Sequence, residues 1–347
     1  MGAGQRRAGG GSDGGSDRHA PTVREVAQAA GVSPMTVSRT LAGGRNVRPE
    51  LQQRVLDAVA RLGYRRNENA RSIRPGQHSG LIGVAITNIG NPYYGNFALG
   101  VEEVAAERGR RVLLGNTGED LDRERQLVSD FVGRQVEGLI VVPSGPSGEH
   151  LRAEALGGLP VVLASRQVGG IDADAVLLDD VEGARQATER LVALGHERIA
   201  FLGNNVSMFT AGRRYEGFRR ALEAAGIAED PALASAGQQD LEAARAAMTR
   251  LLDLAEPPTA VFAANNRNTI GALQVIARRL ADGRLAEAPA LASFDDVELI
   301  EFVPAPTVVV SHDARELGGI AARMLFERLD GFDGPPRFVE LPVSVQA

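Results

Sequence analysis

Residues 22–74 read TVREVAQAAGVSPMTVSRTLAGGRNVRPELQQRVLDAVARLGYRRNENARSIR. Ala27, Gly31 four residues on and Val37 six further along have the spacing of a helix-turn-helix, whose small side chains let two helices cross closely. Ser33 is a good N-cap and Pro34 suits a first helical position, so a recognition helix is predicted from 34 to about 41. A first helix is predicted over about 23–29 and a third over 49–62, opened by Pro49 and closed by Gly63. Leu51, Val55, Leu56, Val59 and Leu62 recur at helical spacing and are predicted to pack on Val26, Val37 and Leu41.

Charge separates this stretch from the rest. The chain of 347 residues has a formal net charge of -6, yet residues 22–74 hold ten arginines against four acids, or +6. Residues 1–21 add three arginines and two aspartates, or +1, which leaves -13 for residues 75–347. A basic head on an acidic body is the electrostatic footprint of a DNA-binding domain whose body stays off the duplex. The sequence has no lysine, so the phosphate contacts expected of basic side chains fall to arginine.

The chain has no cysteine, which removes disulfides and thiolate chemistry and is compatible with a reducing compartment. No apolar run has the length of a membrane span and the N-terminus lacks the apolar core of a signal peptide, so a cytoplasmic location is expected. Residues 1–20 are glycine-rich and nearly devoid of large apolar side chains, and are expected to form a disordered tail. Residues 67–74, NENARSIR, are too short for a stable isolated helix but can fold when docked. Pro75 and Gly76 then break the chain.

From Leu81 the pattern changes to apolar strands alternating with amphipathic helices. LIGVAIT (81–87), RVLLGN (111–116), GLIVV (138–142), PVVLAS (160–165), AVLLD (175–179), RIAFLG (198–203), AVFAA (260–264), ALASF (290–294), TVVVS (307–311) and FVELPVSV (338–345) are the strand candidates. Such alternation predicts parallel sheets covered by helices, here two similar halves with a cleft beyond the carboxyl ends of the strands. The paired acids in LLDD and SFDD are taken as turn residues. No Gly-rich phosphate loop is present and the five histidines are scattered without metal-ligand spacing, so no enzyme activity, cofactor or metal is expected.

These strings resemble the LacI/GalR family of bacterial transcription regulators over about residues 22–345. VAQAAGVSPMTVSRTL looks like the family's helix-turn-helix and GYRRNENARSIR like its hinge. NPYYGNFALGVEEVAAERG, VEGLIVVPS, LGHERIAFLG, SFDDVEL and ARELGGIAARML follow in family order. The resemblance implies an all-α helix-turn-helix head on an α/β body with a two-lobed, periplasmic-binding-protein-like fold. It gives a tail (1–20), a head (21–64), a hinge and linker (65–79) and a body (80–347). Within the body, lobe 1 is expected over about 80–165 plus 295–325 and lobe 2 over about 166–294 plus 326–347.

The resemblance also implies a homodimer on a roughly palindromic double-stranded operator, with a small-molecule effector in the cleft and no membrane. A dimer is expected over a tetramer because no heptad helix follows the last strand. A repressor is the expected sign of regulation; the alternatives are an architectural DNA-binding protein with a vestigial, effector-independent body and, further off, a sugar-processing enzyme. Pro34, Met35 and Arg39 are assigned to the major-groove edge, and Thr36, Ser38 and the backbone at Thr22 to phosphates. In the hinge, Ile73 matches the wedge that levers a base step apart, with Ala70 facing its partner and Asn67 as cap. Ile73 stands where leucine is usual and Arg66 where proline is usual; an inert linker is the alternative.

For the effector the matching positions are Tyr93, Tyr94, Ser165, Arg166, Thr210, Arg214, Asn266 and His312, with Gln239 near the place of a stacking aromatic. Family members often carry aspartate where this chain has Ser165 and Asn266. Arg166 and Arg214 therefore point to a polar or anionic effector, such as a modified or phosphorylated sugar, with an ion pair joining the lobes as the competing role.

Overall fold

The computed structural model describes residues 21–41, 43–44, 46–64, 79–238, 240–297 and 307–346. The expected tail, the hinge residues Asn67, Ala70 and Ile73, and Gln239 lie outside the described residues. The chain divides into two compact units, residues 1–77 and 78–347.

Among its described residues the first unit holds three helices, α1 (Val23–Ala30), α2 (Pro34–Leu41) and α3 (Pro49–Leu62). A capping box starts α1: the Thr22 hydroxyl accepts from the Glu25 amide while the Glu25 carboxylate accepts from the Thr22 amide. Gly31 ends α1 at φ 63°, the left-handed conformation glycine adopts without penalty, and so allows the tight turn into α2. The Ser33 hydroxyl accepts from the Thr36 amide at 3.1 Å, and Pro34 takes the first helical position. Val26, Ala27, Ala30, Val37, Val55 and Ala58 form the core, closed by Tyr64. Leu56, expected in that core, is 48% exposed. The helical spacing that selected it spans a wider arc of α3 than α1 and α2 can cover.

The second unit is built from two sheets. One contains β1 (Leu81–Ile86), β2 (Arg111–Asn116), β3 (Gly138–Val141), β4 (Val161–Ala164), β5 (Asp174–Leu178) and β11 (Phe338–Leu341), in the order β11-β5-β4-β3-β1-β2. The other contains β6 (Ile199–Gly203), β7 (Ala234–Ala236), β8 (Ala260–Ala263), β9 (Ala290–Phe294), β10 (Thr307–Ser311) and β12 (Ser344–Gln346), in the order β12-β10-β9-β8-β6-β7. Every pairing is parallel except β10 with β12. The first five strands of each sheet thus share one doubly wound order.

Helices α4 (Pro92–Glu107), α5 (Leu121–Gly133) and α10 (Ala314–Leu329) cover the first sheet. The second is covered by α6 (Asp180–Ala193), α7 (Phe209–Ala224), α8 (Leu241–Leu252) and α9 (Asn266–Ala281). In each lobe one pair of helices touches backbone to backbone. A Cβ on Gly318 of α10 would lie 2.1 Å from the Phe97 carbonyl oxygen, and one on Gly217 of α7 would lie 2.1 Å from that of Val181. Only glycine permits these approaches.

The lobe boundaries differ from those expected. β5 belongs to the first lobe, β10 to the second, and α10 with β11 to the first, so the chain crosses near Asp179, near His312–Asp313 and at Pro342–Val343. Among the described residues, lobe 1 is therefore 79–178 plus 314–341, and lobe 2 is 180–238, 240–297, 307–311 and 344–346. The run FVELPVSV, expected as one strand, is split by Pro342, which cannot donate to a ladder, and its halves join different sheets. Val343 packs against the cores of both lobes at this last crossing.

Candidate DNA-reading face and inter-lobe cleft

On α2 the residues expected to read bases stand outward. Pro34 and Arg39 are exposed and Met35 is 63% exposed, while Thr36 and Ser38 are half-buried beside the core residue Val37. An exposed methionine beside an arginine offers an apolar surface and a donor fork on one helix face, which are the two chemistries of a major-groove edge. The amide at Thr22, expected on a phosphate, instead donates to Glu25 at 2.6 Å. That leaves the start of α1 internally capped.

The second unit brings most of the expected effector residues together. Tyr93, Tyr94, Ser165, Arg166, Thr210 and Arg214 line one cleft, joined by Asn88, Asn91, Glu119, Asn204, Asn265, Arg267 and Asp295. All lie at or just beyond carboxyl ends of strands, from both lobes, as doubly wound sheets place their ligands. Asn266 and His312 back the cleft rather than line it. The Asn266 side-chain amide donates to Asn91 Oδ1 at 2.6 Å and its backbone amide donates to Asp295 at 3.2 Å. His312 Nε2 lies 2.8 Å from Asp295 Oδ1.

Both arginines are paired, each inside its own lobe. Arg166, 6% exposed, binds Glu119 through both terminal nitrogens at 2.6 and 2.8 Å and donates to the Pro143 carbonyl at 3.0 Å. Arg214 donates to the buried Asp180 at 2.7 Å and the Ala264 carbonyl at 2.6 Å, and its guanidinium lies 3.7 Å from the centre of the Phe294 ring. Asp295 is 4.0 Å from Arg214. Burial opposes charge on Asp295, but His312 and Arg214 outweigh it and hold the carboxyl below the usual carboxylate range. Burial drives the Tyr93 phenol well above its ordinary value, so its hydroxyl stays protonated beside Ser165 Oγ, 2.5 Å away.

Arg166 and Arg214, expected to point to a polar or anionic effector, each already hold a carboxylate within their own lobe. Among the described residues, Arg213 of α7 and Glu340 of β11 form an ion pair between the lobes. Direct hydrogen bonds across the cleft are Asn266 to Asn91 and Arg267 to the Gly90 carbonyl, at 3.3 Å for the latter. The acids of LLDD and SFDD prove central, since Asp179 caps α6 while Asp180 and Asp295 are buried partners of Arg214 and His312. Glu119, not expected from the sequence, follows the Gly118 turn. With Ser165 and Asp295 it is held in the left-handed region at φ 63°, 61° and 79°. Three such residues around one cleft store of order 1–3 kcal/mol each, a concentration of strain typical of ligand clamps.

Comparison with known proteins agrees with this geometry. Residues 22–67 match the bacterial regulatory proteins of the lacI family, and residues 79–339 match the periplasmic binding proteins and sugar binding domain of the LacI family. The chain belongs to the LacI family. The regulator GalS of Salmonella typhimurium is 32% identical over 89% of this chain and 90% of its own length. The regulator CelR of Thermobifida fusca is 32% identical over 90% of this chain and 93% of its own. A solved complex of CelR with cellobiose superposes with a TM-score of 0.68 at 29% identity, covering 94% of this chain and 98% of that one. As a LacI-family member the chain is a DNA-binding transcription regulator rather than an enzyme, and the two parallel-sheet lobes are the family's sugar-binding body. Among the described residues no helix is long and apolar enough to cross a membrane.

Proposed function

We propose that this protein is a cytoplasmic repressor that binds a roughly palindromic operator as a homodimer and releases or tightens its grip when a neutral, polyhydroxylated effector enters the inter-lobe cleft. The observation that carries the reading is the cleft itself. Asparagine, tyrosine and serine groups converge on it from both lobes, and its two buried arginines are already neutralised. That is a surface for hydroxyl groups, and the relative CelR is known in complex with cellobiose. A single α2 reaches only a few base pairs, so two copies are needed for useful specificity.

In this mechanism Pro34, Met35 and Arg39 read bases, and Thr36 and Ser38 hold phosphates. The segment containing Asn67, Ala70 and Ile73 serves as the conditional hinge between head and body. Effector binding changes the lobes' relative rotation and hence the separation of the paired hinges, which is a coupling free energy between two sites. Selection of bound DNA from a random pool, with and without a panel of neutral saccharides, tests the whole. A palindromic consensus whose affinity responds to a saccharide is expected. A consensus indifferent to all of them would instead favour the architectural role.

A further inference from the structure

The chain has five methionines and no cysteine, so an oxidant that acts on sulfur finds thioethers alone. Met35, Met208, Met248 and Met324 lie among the described residues, and their surroundings differ. Met248 of α8 and Met324 of α10 are buried in the lobes, Met208 just before α7 is partly buried, and Met35 on α2 of the head is 63% exposed. Susceptibility of a side-chain sulfur to oxidation follows its exposure, so Met35 is the first of these four to react.

Met35 also stands where a change of polarity alters the surface without disturbing the fold. It takes the second position of α2, between Pro34 and Thr36, and the Ser33 hydroxyl that accepts from the Thr36 amide fixes the backbone around it. The head's core is centred on Val26, Val37 and Val55, and Met35 contributes nothing to it. Arg39 follows four residues later, and side chains four apart in a helix are neighbours on one face. The thioether and the guanidinium therefore share the face assigned above to the major-groove edge.

We propose that Met35 is an oxidation site through which peroxide loosens the protein's hold on its operator. This rests on the base-reading role of α2 proposed above. In the step the thioether sulfur takes one oxygen from hydrogen peroxide: an S–O bond forms as the O–O bond breaks, the sulfur loses two electrons to the peroxide, and the second oxygen leaves as water with both protons. The product is methionine sulfoxide, a polar side chain with a strong acceptor oxygen. At the groove, an apolar surface suited to a thymine methyl becomes an acceptor, which thymine O4 and guanine O6 repel. The same oxygen offers Arg39 a partner on its own helix, and a guanidinium turned toward it no longer presents both donors to guanine. Both effects fall on base reading, and neither touches the phosphate contacts assigned to Thr36 and Ser38. A sulfoxide reductase reverses the step, two thiols becoming a disulfide as the oxygen leaves in water.

The test uses the full chain, the consensus duplex selected from the random pool and a duplex of scrambled sequence. Hydrogen peroxide is added in steps, sulfoxide at each methionine is followed by peptide mass spectrometry, and affinity is read by fluorescence anisotropy. Met35 is expected to oxidise at least about tenfold faster than Met248 and Met324, and bound consensus duplex is expected to slow it. At full conversion of Met35, affinity for the consensus should fall at least about tenfold while affinity for the scrambled duplex changes by less than about twofold, with thermal unfolding unchanged. A methionine sulfoxide reductase with dithiothreitol should restore the consensus affinity. Met35→Leu, whatever its own operator affinity, should lose the response to peroxide, and Met208→Leu should keep it. Undiminished consensus affinity after conversion of Met35, or a response retained by Met35→Leu, overturns the proposal and leaves base reading standing. An equal loss on both duplexes overturns it as well. A consensus duplex that fails to protect Met35, or a pool that yields no consensus, would remove the base-reading role of Met35 and the proposal with it.

Discussion

Arg166 and Glu119 meet through two parallel hydrogen bonds, Nη1 to Oε2 at 2.6 Å and Nη2 to Oε1 at 2.8 Å, and both residues belong to lobe 1. The pair is therefore made before any ligand arrives. Removing one member leaves a buried charge, so Glu119→Ala should lose about 3 kcal/mol of stability, a fall of several degrees in thermal unfolding. The freed guanidinium becomes an anion site. Inorganic phosphate should raise the unfolding temperature of the variant more than that of the parent. Equal phosphate effects would show that Glu119 is not what neutralises Arg166.

On the reading helix, Arg39→Ala should relax base preference at one operator position, at a cost of about 1–3 kcal/mol confined to the preferred base. Ser38→Ala should weaken all sequences alike. Fluorescence anisotropy against single-base operator variants distinguishes the two, and an unchanged preference in Arg39→Ala would reject its base-reading role.

The hinge proposal makes a separate claim. Ile73→Gly removes the wedge and adds backbone entropy, so operator affinity should fall at least about tenfold while saccharide binding stays unchanged. Operator titration and calorimetry on the same preparation check this, and undiminished operator affinity would reduce residues 65–74 to a linker.

Asp174 of β5 gathers Arg328 and Arg337 from the chain's last return to lobe 1, at 2.7 and 2.9 Å. Burial pushes this carboxyl up, but the hydrogen bonds from both arginines win and hold it below the usual range. A depressed carboxylate contributes stability that is present above the unfolded value near ~3.9 and is lost as pH falls through the lower folded value. Asp174→Asn should cost about 3 kcal/mol at pH 7, toward the low end for a broken buried pair because both arginines keep some solvent. Its deficit in unfolding temperature should shrink as pH drops below about 4, and a gap independent of pH would contradict the ionic role.

Much of this was legible because local and global signals agree. The caps at Ser33, Pro49 and Gly63 placed α2 and α3 at their observed bounds, and the apolar runs placed most strands of both sheets. The crossings were harder. Nothing in the periodicity of AVLLD or TVVVS says which sheet a buried strand joins, since a parallel strand is apolar on both faces in either lobe. Pro342 was the available signal for the split of FVELPVSV. Asp180 and Asp295 were read as turn residues because adjacent acids usually are. Their burial depends on Arg214 and His312, which lie 34 and 17 residues away. Glu119 carried only its glycine neighbour as a mark.

Three passages carry the chain between the lobes, and among the described residues the direct polar contacts across the cleft include Asn91 with Asn266, Gly90 with Arg267, and Glu340 with Arg213. Covalent tethering keeps each lobe at a high effective concentration about the other, so the interface between them need not be strong to keep the body whole. A cut in any one passage would leave two ties intact. The orientation of the lobes is thereby freed from the task of cohesion, and a ligand shifts it by its difference in affinity for the orientations.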